Sequence, residues 1–158
     1  MIDLGAEMKL KMYMRHLTLA LAGIVVGLMS VSLAFDFALY NSPHSEEIER
    51  EATRYYHVVR TSFVPIIVVG TLLGLVATTV YRIVFVRNWR TYLLAIGVFS
   101  LSIYYVAVVF ALEDNLPNLT EFDARVASLI QIGFAHLLTW LAGWFAIILL
   151  MFESEDRH

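Results

Sequence analysis

Four apolar runs, each about as long as a bilayer is thick, restrict this chain more than any other feature. They cover approximately 17–40, 63–81, 91–112 and 126–151, and a helix needs roughly 20 mostly apolar residues to cross the hydrocarbon core. With short connections they take up nearly all of the 158 residues. The expectation is therefore one membrane domain over 1–158: an all-α integral membrane four-helix bundle running up-down-up-down, with a helical extension before the second span. The first run follows Lys9, Lys11 and Arg15 and has the length of a full span rather than of a signal-peptide core, so it is read as a mature helix.

Composition agrees and removes several function classes. At 59% hydrophobic residues and a mean hydropathy of +0.72, the chain is too apolar for a domain whose whole surface meets water. It has no cysteine, which excludes disulfide scaffolds, thiolate metal sites and cysteine nucleophiles. A net charge of −3 without a concentrated basic patch argues against nucleic acid.

The connections differ in kind. Ser45 followed by Glu46, Glu47 and Glu49 reads as a helix N-terminus, with acids at the positive end of the helix dipole. A helix begun there can run unbroken past Arg60 into the second span, in whose first turn Pro65 is tolerated. Arg87-Asn88-Trp89-Arg90 is a tight basic turn, and Glu113 to Arg125 reads as a short acidic loop containing Pro117. Lys9, Lys11, Arg15, Arg82, Arg87, Arg90 and Arg157 fall on the side of the termini, against Arg50, Arg54, Arg60 and Arg125 on the other. The positive-inside rule then puts both termini in the cytoplasm. The opposite side carries Glu46, Glu47, Glu49, Glu51, Glu113, Asp114, Glu121 and Asp123, together with the sequon Asn118-Leu119-Thr120, which makes Asn118 a candidate glycosylation site.

Small residues at helical spacing mark faces where membrane helices approach closely. Gly23, Gly27, Ser30 and Ala34 make such a stripe on the first span, and Gly70, Gly74 and Ala77 on the second. Gly97, Ser100, Tyr104, Ala107 and Ala111 share a face of the third; Ser128, Gln131, Ala135, Thr139, Ala142 and Ala146 share one of the fourth. These faces are expected to pack within the chain, while the two GxxxG patterns leave a homo-oligomer or a larger membrane complex open beside membrane lipids as partners.

Ionisable residues inside spans are costly and therefore candidates for function. Asp36 lies one turn from the end of the first span, within reach of Arg60 for a structural pair or free to act as a ligand or proton site. His57 and Arg60, one turn apart, enter the second span beside Tyr55 and Tyr56, which read as interfacial belt residues. His136 lies about ten positions inside the fourth span, roughly 15 Å deep at 1.5 Å per residue. A polar side chain there needs a partner, and Tyr104 is at similar depth. His136 is thus the candidate catalytic residue, and Asp36, His57, Arg60, Tyr104 and His136 are the candidate ligand-binding set. The five histidines do not suggest haem, since His136 is deep while His57 and His16 lie near opposite surfaces. No HxxH, HExxH, G-x-S-x-G, P-loop or dinucleotide pattern occurs, so neither metal nor cofactor is expected.

Gly23 and Gly27 in the first span, the Tyr55-Tyr56 pair leading to Pro65, and Leu116-Pro117-Asn118-Leu119 after the third span together resemble the anthrone-oxygenase-like family of small four-helix membrane proteins. The likeness extends over about 17–151. It implies a cofactor-free oxygenase acting on polycyclic aromatic substrates, or a relative without assigned activity, and draws attention to His136 and Asn118. Pro117 and Asn118 are adjacent here, where the family has a P-x-N arrangement, and the acidic first connection is longer. Three functions stay open: a bundle whose polar pocket binds or moves a small solute or lipophile, a membrane oxygenase using the same pocket, and a non-catalytic accessory subunit of a larger complex.

Overall fold

The computed structural model describes residues 4–42 and 45–152. Four helical stretches in it are long and apolar enough to cross a membrane: Gly5–Tyr40, Val64–Phe85, Trp89–Asn118 and Phe122–Met151. They belong to α1 (Leu4–Tyr40), α3 (Val64–Phe85), a composite third span and α6 (Phe122–Met151). The composite consists of α4 (Trp89–Tyr104), a π-helical turn (Tyr105–Val109), α5 (Phe110–Asn115) and a 3₁₀ turn (Leu116–Asn118). In space the order closes a ring, α1 beside α3, α3 beside α4, α4 beside α6 and α6 beside α1. This is the expected up-down-up-down bundle.

Helix ends depart from expectation where side chains extend or stop them. α1 begins more than ten residues before 17, and on one of its added turns Lys11 pairs with Glu7 at 2.8 Å, four residues back. The acidic connection forms α2 (Glu46–Thr61), and Ser45 accepts the Ile48 N–H at 3.4 Å as its N-cap. α2 does not continue into α3. A continuous helix would press the Pro65 ring against the Thr61 carbonyl. The chain instead turns at Ser62, whose hydroxyl donates to the Val59 carbonyl at 2.6 Å and accepts the Val64 N–H at 3.1 Å. Residues 113–118, expected as loop, remain helical because Leu116 is fully buried with Tyr56 and Ile132.

At the end holding the termini, Arg15 Nε donates to the Leu150 carbonyl at 3.1 Å, and the Arg90 guanidinium donates to the Phe152 carbonyl. Both cap the negative end of α6. The basic turn places Arg87 at φ 50 and lets Asn88 accept the Thr91 N–H at 2.7 Å.

The core is aliphatic: Ala22, Val25 and Met29 of α1 meet Val68, Leu72 and Leu75 of α3, Leu94 and Val98 of α4, and Ala135, Ala146 and Leu150 of α6. The small face of α6 packs inward much as expected, with Ala135, Thr139 and Ala146 buried, although Gln131 is exposed. The other stripes do not. Gly23, Gly27, Ser30 and Ala34 are exposed, as are Gly70 and Ala77, and on the third span Ser100, Ala107 and Ala111. Larger apolar side chains on the neighbouring faces bury more contact area and so take the interior. Close approach occurs at Gly143, where a Cβ would lie 2.7 Å from Val26 Cγ2, and at Gly74 of the second stripe, where it would lie 3.1 Å from Leu21 Cδ1.

Gly143→Leu is expected to lower stability by about 1–3 kcal/mol through overpacking. Gly70→Leu, at a position with nothing within 4 Å, should stay within about 0.5 kcal/mol. Thermal unfolding of both variants in the same detergent checks the contrast.

Candidate functional site

Where α1, α2, α5 and α6 converge, away from the termini, four titratable side chains form a buried chain. Asp36 projects from α1. Its carboxylate accepts the Tyr56 hydroxyl from α2 on one oxygen and lies 2.8 Å from His136 Nδ1 of α6 on the other. Because an ionised carboxylate only accepts, the network assigns the imidazole proton to Nδ1. Nε2 then faces Glu113 of α5, whose carboxylate oxygen is 3.9 Å away, an ion-pair distance longer than a hydrogen bond. The side chains are almost fully enclosed: 2% exposed for His136, 10% for Asp36 and 7% for Glu113.

Local structure explains why these groups meet. His136 sits near the middle of α6, one position after Ala135 and three before Thr139, both fully buried, so its helix face looks into the bundle. Tyr105, Val109 and Glu113 are four apart, drift by only about 40° per step and so share one inward face. The π-turn spans the first half of that face, and all three are buried. α2 is docked by aromatic packing: Tyr55 stacks on Phe35 of α1 with centroids 3.8 Å apart, which holds neighbouring Tyr56 over Asp36. Burial, reinforced by the Asp36 carboxylate, pushes the Tyr56 phenol well above its ordinary range, so it stays a donor.

Of the five residues expected to bind a ligand, the fold joins Asp36 and His136 directly. Arg60 does not pair with Asp36. It makes a two-pronged bond to Asp114, Nε to Oδ1 at 2.7 Å and Nη2 to Oδ2 at 3.0 Å, and lies 4.0 Å over the Phe110 ring. That bond raises the Arg60 pKa further. The physical reason is reach: Tyr56 already occupies Asp36, and Arg60, one turn on, finds a partner at the solvated rim where charge costs less to hold. His57 is exposed. Tyr104 is half-buried against the main core, and its neighbour Tyr105 takes the position beside His136, with ring centroids 6.4 Å apart. Asn118 is exposed, with Nδ2 3.5 Å from the Asp114 carbonyl. Sequence reasoning passed over Tyr56, Tyr105 and Glu113. The i,i+4 spacing of Tyr56 with Arg60 and the four-residue spacing of Tyr105, Val109 and Glu113 were the available signals.

Beside this chain lies a half-open groove of about 370 Å³ between α1 and α6. Leu33, Phe37, Val126, Ile130, Phe134 and Leu137 supply much of its wall, and Asp36 and Tyr56 supply polar atoms. His136 does not line it. The imidazole stands behind Asp36 and orients it. Gly133 keeps the groove next to Asp36 open, since a Cβ there would fall 3.4 Å from Asp36 Cβ. A cavity of this size suits a small ligand held by apolar contact and fixed by one or two polar groups.

Comparison of the chain with protein-family models, with curated proteins and with solved structures finds no match.

In a double-mutant cycle, Asp36→Asn and His136→Phe should couple by about 0.5–2 kcal/mol, the range of hydrogen bonds between membrane helices. Asp36→Asn and Arg60→Gln should add to within about 0.5 kcal/mol. Unfolding free energies in one detergent decide; equal coupling for both pairs would contradict the wiring described above.

Proposed function

We propose that this integral membrane protein binds a small lipophile in the groove between α1 and α6, with Asp36 as the polar group that meets it. The observation that carries this reading is the placement of a carboxylate, held by Tyr56 and His136, in the wall of a largely apolar cavity. A carboxylate in hydrocarbon is expensive to maintain and is kept where it has work to do. Its partners hold it in one geometry, so a ligand meets a pre-formed site and little ordering remains to be done on binding. The excess of Lys and Arg on the side of the termini supports both termini in the cytoplasm. The groove then opens to the outer leaflet and exchanges its occupant laterally with lipid.

Two other readings draw on particular features. An oxygenase would need a base to take a proton from bound substrate, and a histidine backed by a carboxylate has that character. Because Asp36 and not His136 lines the groove, Asp36 would be the catalytic residue of such an enzyme and His136 a positioning residue. An accessory subunit would use the outward faces of Gly23, Gly27 and Gly70, where no atom lies within 4 Å of an added Cβ, to approach another helix closely.

The groove reading is tested with Nile red, a neutral lipophilic dye, bound to the purified chain. Leu137→Trp and Ile130→Trp, which fill the groove from its walls, should weaken binding about tenfold, the scale of about 1.4 kcal/mol. Ile103→Trp, at an exposed position on the third span, should leave it unchanged. The same dye affinity in all three variants would defeat the reading.

A further inference from the structure

Resting on the lipophile-groove reading, we infer that the occupant is a lipophilic cation: an apolar or aromatic body bearing an amine or onium centre, seated with its positive charge against Asp36. The groove presents acceptors. Its polar lining residues are Asp36, Tyr40 and Tyr56, and the Tyr56 proton is already given to Asp36, so that hydroxyl is left as an acceptor. Among the described residues, no lysine, arginine, histidine or amide side chain lines the groove. An anionic head group would meet a carboxylate there and no cation to receive it.

The charge behind the wall has the same sign. Asp36 is faced by Tyr56 from α2 and His136 from α6, with Glu113 of α5 beyond the imidazole. Two carboxyl groups thus flank one imidazole and outnumber the cluster's single basic group two to one. The nearby guanidinium of Arg60 is directed to Asp114, which holds it in a two-pronged bond, and does not reach Asp36. In a low-dielectric setting a carboxylate such as that of Asp36 attracts a cation far more strongly than it would in water.

The walls and the approach suit the same occupant. Phe37, Tyr40 and Phe134 bring aromatic rings to the groove, and aromatic faces attract onium and ammonium groups, more so when these are desolvated. The end of the bundle that carries the groove holds Glu46, Glu47, Glu49, Glu51, Glu113, Asp114, Glu121 and Asp123 against Arg50, Arg54, Arg60 and Arg125. That imbalance raises the local concentration of cations at the mouth. A free amphiphilic cation and the amine head of a membrane lipid share this chemistry.

The test uses the purified full chain in nonionic detergent, titrated calorimetrically with tetraphenylphosphonium and with triphenylphosphine oxide, a neutral molecule of related shape. The cation is expected to bind at least tenfold more tightly than the neutral compound. Asp36→Asn should remove most of that preference, while Leu137→Trp, which keeps the carboxylate and fills the groove, should weaken both compounds. If Asp36→Asn does not fold, the cation-to-neutral ratio in the native chain and the Leu137→Trp result still decide. Repeating the titration in nanodiscs separates the sources: weaker apparent binding in phosphatidylethanolamine than in phosphatidylcholine identifies a lipid amine as the competing occupant, and equal binding identifies a free cation. Equal affinity for the two compounds, with both lost in Leu137→Trp, overturns the cation inference and leaves the lipophile groove standing. No binding of either compound, together with unaltered Nile red binding in Leu137→Trp, overturns both.

Discussion

A carboxylate placed among membrane helices must find partners inside the protein, because hydrocarbon offers none. Asp36 finds them on two other helices. Tyr56 donates to it from α2, and His136 Nδ1 approaches to 2.8 Å from α6. Three elements distant in sequence are thereby tied at one point, and the position of α2, which crosses no membrane itself, follows from that tie together with the stacking of Phe35 on Tyr55. Without α2 the Asp36 carboxylate would lose one of its two donors and part of its shield from lipid. The site and the docking of the extension are therefore one structural feature.

One face of the third span is fitted to this tie. Tyr105 and Glu113 stand eight residues apart on one buried face. Both meet His136, from the side as a ring and from beyond Nε2 as a carboxylate. The third span thus brings a second acid to a histidine that already has one.

Polar placement along the bundle is asymmetric. The end with the termini uses Arg15 and Arg90 to cap α6, through Leu150 and Phe152, and its interior mixes aliphatic side chains with buried threonines and Arg82. The opposite half concentrates the buried acids, the tyrosines and the histidine around one groove. Rim charge is handled differently from buried charge: Arg60 and Asp114 pair with each other near solvent, which leaves the inner acids to the imidazole and the phenol. That separation gives the groove its acceptor character.

Apolar run length by itself determined the four crossings and the up-down-up-down order, and Ser45 with the acids after it determined the cap, because each depends on a few neighbouring residues or on the thickness of a bilayer. The cost of a buried charge singled out Asp36 and His136 for the same reason: it is a property of depth, and depth can be counted along a helix. Only the tertiary structure decided which partners they take. Rotation of each helix about its axis depends on how all the faces pack at once, and this turned the glycine stripes of the first two spans outward and exchanged Tyr104 for Tyr105. The break at Pro65 and the packing of the third span then set the reach of Tyr56 and Glu113, so that Asp36 met a phenol and an imidazole in place of Arg60. Pairings across 20 and 100 residues leave no periodic trace in the chain, since they arise from the joint packing of separate helices and not from spacing along one.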